Sequence, residues 1–160
     1  MKTTQRTLKT YAAQRGAAAI EFAFILPLLL LIFTGMVEYG RAMWHYDALA
    51  KGARDAARYL STVPTASLGG EATSATSISR TIVANAASSA GVAGLTPAHI
   101  AITCAPTACG SAVAPTTVTV DINYPFVIGG WIPVFGPSPS DAPSVITAAL
   151  APHVTMRYMR

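Results

Sequence analysis

At 160 residues the chain has room for one domain and a membrane anchor; 52% of it is hydrophobic and only 11% charged, against about a quarter in a typical soluble domain. The net charge of +4 comes from residues 1–16, where Lys2, Arg6, Lys9 and Arg15 face no acid, while the remainder is balanced at 7 basic and 7 acidic residues. A balanced remainder lacks the clustered basic face that phosphate binding needs, which argues against nucleic acid as a partner.

After this basic segment, residues 17–37 form an apolar run of 21 residues, with no ionisable side chain between Phe22 and Val37. At ~1.5 Å per residue a helix of that length spans ~31 Å, the thickness of a bilayer's hydrocarbon core. The run predicts a transmembrane helix, and the positive-inside bias puts residues 1–16 in the cytoplasm and residues 38–160 outside it. A cleaved secretory signal fits poorly, because its apolar core is about 7–15 residues and ends at a small-x-small site, whereas here Glu38-Tyr39-Gly40-Arg41 follows. Pro27 interrupts the run but is tolerated in transmembrane helices. Glu21 is the anomaly, since a carboxylate within a span costs up to about 2.5–3.5 kcal/mol and so needs a reason to be there.

The helix is expected to continue through residues 38–62, which lack proline. Tyr39, Met43, Tyr46, Leu49, Ala50, Ala53, Ala57 and Leu60 recur on one face, and Arg41, His45, Lys51, Asp55 and Arg58 lie mainly on the other, which reads as a solvated charged face. Asp47 precedes Lys51 by four, the favourable order for a helical ion pair. Pro64 closes the helix, residues 65–77 read as loop, and Ile78, Ile82, Val83 and Ala86 suggest a short amphipathic helix over about 74–90, stopped by Gly91 and Gly94.

The period then changes to two. Residues 100–104 and 118–123 alternate as strands, and 144–158 reads as a third strand interrupted by Pro152. A short helix with about three antiparallel strands makes a small α+β domain over 63–160. Cys104 and Cys109 flank a proline-containing turn and, outside the cytoplasm, are expected to form a local disulfide. Between the last two strands lies an apolar stretch rich in proline and glycine, with Tyr124, Phe126, Trp131 and Phe135. It reads either as a hairpin tucked into the core or as an exposed contact loop.

The N-terminal third resembles the TadE-like family, minor pseudopilins of the tight-adherence (Flp) pilus. The resemblance rests on Arg15-Gly16-Ala17-Ala18-Ala19-Ile20-Glu21-Phe22-Ala23, Pro27-Leu28-Leu29-Leu30, Gly35, Glu38-Tyr39-Gly40-Arg41, Ala48-Leu49, Ala53-Arg54 and Ala56-Ala57-Arg58, covering about residues 15–60. It implies a pilin-like architecture and a type IV prepilin-like leader over residues 1–16, cut between Gly16 and Ala17 by a membrane prepilin peptidase. It also implies that Glu21 pairs with the new N-terminal amine of a neighbouring subunit. The implied partners are the lipid bilayer, other pilins or pseudopilins, and the membrane assembly platform; the implied location is the bacterial cytoplasmic membrane. The competing expectation is an uncleaved single-pass protein whose external domain binds a partner through the 124–136 loop.

Catalysis is not expected. His45, His99 and His153 have no second histidine or carboxylate cluster at metal-ligand spacing, Ser88-Ser89 lacks a nucleophile-elbow setting, and Gly69-Gly70 and Gly129-Gly130 lack the Gly-Lys-Ser/Thr of a phosphate loop. No cofactor or metal is expected.

Overall fold

A computed structural model describes residues 4–69, 74–128 and 146–159. It is α+β and divides into two compact units, Met1–Tyr39 and Gly40–Arg160. Helix α1 runs Thr4–Thr62, 59 residues with Pro27 inside it. It includes residues 4–16 of the basic leader, where no glycine or proline precedes Gly16. It ends where Pro64 adopts an extended conformation, and Ser61 and Thr62 hydroxyls donate to the carbonyls of Arg58 and Tyr59 in the last turn.

In the first unit every large hydrophobic side chain from Ile20 to Val37 is exposed, Phe24 at 79%. In the second unit the helix changes character. Leu49, Ala50, Ala53, Ala56, Ala57 and Leu60 are buried, whereas Met43 and Tyr46, placed by periodicity on the same face, remain 47% and 42% exposed. The stripe is covered only from Leu49 onward, where the rest of the domain packs on it.

Helix α2 runs Ser74–Ser89. Its buried line is Ala75, Ser79, Val83 and Ala87, at four-residue spacing, and Ile78, expected on the inner face, is 44% exposed. The cause is close approach to α1: a Cβ added to Gly52 would stand 3.0 Å from Ala86 Cβ and 3.1 Å from Val83 Cα. Such a contact admits small side chains and turns a bulky isoleucine outward. The buried Ser79 hydroxyl is satisfied by donating to Thr76 O at 2.8 Å. The helix ends in a Schellman turn, with Val92 N–H donating to Ala87 O, Gly91 N–H to Ser88 O, and Gly91 at φ +74° where a β-carbon would be strained.

Five strands follow where about three were expected: β1 Ile100–Ala105, β2 Thr117–Ile122, β3 Tyr124–Ile128, β4 Ile146–Leu150 and β5 His153–Arg157. One sheet has the order β1-β2-β5 and the other pairs β3 with β4, all antiparallel. The register does not change between sheets: Asp121 pairs His153 in one and Tyr124 pairs Leu150 in the other. β2-β3 and β4-β5 are therefore the two legs of one long hairpin, broken at Asn123 and at Ala151-Pro152. Pro152 has no N–H to give the ladder, but its carbonyl accepts from Ile122 N at 3.1 Å. The stretch expected as one interrupted strand is thus two, and the first half of the apolar stretch is a strand of its own.

Val118, Val120 and Ile122 point from β2 into the core beside Ile100 and the α1 and α2 residues. The outer face of this sheet is threonine-rich, with Thr119 and Thr155 hydroxyls 2.8 Å apart. Tyr158 O–H donates to Val63 O at 2.6 Å, and Met159 N–H donates to Ser61 O at 3.1 Å, tying the end of β5 to the end of α1.

Candidate membrane-anchoring site

Gly16 and Ala17 lie in the helical backbone of α1. Glu21 follows one turn later, exposed, between Ile20 at 62% and Phe22 at 63% exposure. The helix from Ala18 contains an 18-residue window of mean hydropathy 2.4, none of it buried. The thirteen bulky apolar side chains from Ile20 to Val37, facing outward around the helix and not along one stripe, have no favourable home in water; on insertion scales each Leu, Ile, Phe or Val contributes about −0.3 to −0.6 kcal/mol to membrane insertion. Summed over the run, these contributions outweigh the cost of one carboxylate near its end.

Residues 16–58 match the family model of TadE-like proteins. This segment is TadE-like. No curated protein and no solved structure matches the chain. The TadE-like match, with the one helix among the described residues that is long and apolar enough to cross a membrane, supports a membrane-anchored protein associated with the Tad pilus system.

The TadE-like segment also carries a feature that the sequence did not disclose. Arg41 and His45, one turn apart on α1, both engage β3. The Arg41 guanidinium lies 4.9 Å from the centroid of the Phe126 ring, and its Nη2 donates to Val127 O at 2.9 Å. The His45 ring meets Phe126 edge-on at 5.4 Å. Phe126 is only 2% exposed. The charged face of this helix was expected to be solvated; at Arg41 and His45 it clamps one leg of the hairpin instead. His45 Nδ1 is buried with no hydrogen-bond partner among the described residues. Burial, and after it the Arg41 charge, hold the His45 imidazole below its ordinary 6.5. The available signal was the four-residue spacing of a guanidinium and an imidazole, which places two partners for one aromatic ring on one side of a helix.

Of the expected contact loop, Phe126 is interior and Tyr124 is half-buried, its hydroxyl donating to Ala93 O at 2.7 Å. Trp131 and Phe135 lie outside the described residues. Cys104 and Cys109 form a disulfide at the end of β1, and the turn it closes brings Gly110 against Gly69. Asp47 and Lys51 pair at 2.7 Å on the exposed face, a contact worth at most a few tenths of a kcal/mol. Among the described residues no three His, Cys, Asp or Glu side chains are grouped to hold a metal ion.

Proposed function

We propose that this chain is a pseudopilin or pilus-assembly component of a tight-adherence pilus or related secretion system. One helix holds it in the bacterial cytoplasmic membrane, with the basic leader in the cytoplasm and the α+β domain outside. The observation that carries the reading is the coincidence of the TadE-like match with the exposed apolar helix. On this reading a prepilin peptidase cuts between Gly16 and Ala17, and the chain is a substrate of that enzyme and not itself a catalyst. Since the bond lies in helical backbone, the peptidase must unwind about a turn to reach it. Glycine gives up helix readily, being about 1 kcal/mol less stable there than alanine, and offers no side chain to the protease.

After cleavage, Glu21 stands near the new amino terminus and pairs with the amine of a neighbouring subunit. Pairing offsets the burial of both charges in lipid and fixes axial register, a contribution to specificity more than to net stability. The test is the intact mass of the membrane-purified chain made with the cognate peptidase. Wild type is expected to begin at Ala17 and Gly16→Ala to keep residues 1–16; a wild-type chain that keeps Met1 defeats the processing claim. Glu21→Ala is expected to insert in the membrane normally but to lose incorporation into the assembly, and unchanged incorporation contradicts the pairing.

A further inference from the structure

The second unit opens with an exposed apolar and aromatic patch on α1. Met43 is 47%, Trp44 66% and Tyr46 42% exposed, although Leu49, only three residues beyond Tyr46, is fully buried. We infer that these three side chains sit in the lipid headgroup layer, so that the first turns after the membrane span are embedded in the interface and do not form a stalk clear of it.

The occupant follows from continuity. The patch begins six residues after Val37, the end of a run of side chains already exposed for lipid. A bilayer of ~40–45 Å including headgroups leaves ~5–8 Å beyond the hydrocarbon on each side. The Cα of Trp44 comes seven residues, about two turns, after Val37 in the same helix. Helical side chains lean toward the N-terminus and cover the preceding turn, so the indole reaches back toward the lipid by about one turn and meets the headgroup layer. Tryptophan and tyrosine are enriched at that depth because each joins an apolar ring to one polar atom. The charges around the patch agree with a wet boundary just above it: Asp47 and Lys51 are paired and exposed in the next turn, and Arg41 is turned onto Phe126 and Val127. A second copy of the chain is the alternative occupant, but only lipid is continuous with the exposed apolar segment that precedes the patch.

This inference rests on the membrane anchoring proposed above, and the experiment separates the two. The full chain carrying Trp131→Phe, or Trp131→Tyr if that variant folds better, leaves Trp44 as the sole tryptophan. It is reconstituted in vesicles of phosphatidylethanolamine and phosphatidylglycerol and floated on a density gradient. The expected result is co-flotation, a blue-shifted Trp44 emission, and loss of intensity with lipids brominated near the headgroup that exceeds the loss with lipids brominated near the chain end. Co-flotation with water-like emission, quenched by iodide and untouched by brominated lipid, overturns the interfacial placement while leaving anchoring intact. A blue-shifted emission that ignores brominated lipid but rises with the protein-to-lipid ratio overturns it in favour of a second copy. Failure to float overturns the anchoring itself and the inference with it.

Discussion

Protonating His45 adds a second positive charge beside Arg41, against a ring buried at 2% exposure. The folded state therefore prefers the neutral imidazole, and the unfolded chain binds the extra proton first. The stabilising contribution is complete above pH 6.5, the unfolded value, and is lost as pH falls below it. The thermal midpoint of the detergent-solubilised chain is expected to drop between pH 7.5 and 5.5, with a smaller drop in His45→Gln; equal slopes in both would contradict the assignment. Arg41→Ala removes both the cation–π contact and the hydrogen bond to Val127 O, and is expected to destabilise the domain by about 1–2 kcal/mol in chemical denaturation. Arg41→Lys should restore little of it, because a point charge cannot stack flat on the ring while donating to the carbonyl. Gly110 is the strictest backbone position: its φ is +80° and a Cβ there would overlap Gly69 Cα. Gly110→Ala is expected to cost at least about 1–3 kcal/mol, measured the same way.

The helices and strands were legible in the sequence to different depths, for physical reasons visible in particular elements. Pro64 and Gly91 are strong punctuation, and both helices end where these residues demand. The leader contains no such signal, and its described residues 4–16 are helical. Strand β2 alternates because one face is buried and the other wet. Residues 146–157 do not show that pattern continuously, because the ladder breaks at Ala151-Pro152 and its two halves belong to different sheets. The inner face of α2 was misread at Ile78 because hydrophobicity alone marks bulky residues as core, whereas here the distance between helices decides. That close contact supplies an element-scale prediction. Gly52→Val drives a branched side chain into Val83 and Ala86, and is expected to destabilise by about 1–3 kcal/mol through overpacking. Leu60→Ala, by contrast, leaves a cavity under the sheet and is expected to cost about 2–5 kcal/mol. Of the clamp of Arg41 and His45 on Phe126 only the four-residue spacing on the helix was legible, since partners 85 and 81 residues apart meet only through the hairpin's long register.

For the whole molecule, the decisive contrast is between a first unit with its apolar side chains turned outward and a second with its apolar side chains buried. The same helix serves both, its apolar side chains exposed from Ile20 to Val37 and buried from Leu49 onward; the proposed passage from lipid through headgroups to protein core accounts for that change. The anchoring reading depends on residues 17–37 crossing a bilayer with the basic leader left behind on the cytoplasmic side. Protease accessibility tests that most directly, on cells that carry the chain with a C-terminal epitope. Added protease should degrade the domain after residue 40 in spheroplasts and leave it protected in inverted inner-membrane vesicles. Protection in spheroplasts with loss in inverted vesicles, or recovery of the chain in the cytosolic fraction, would contradict the account.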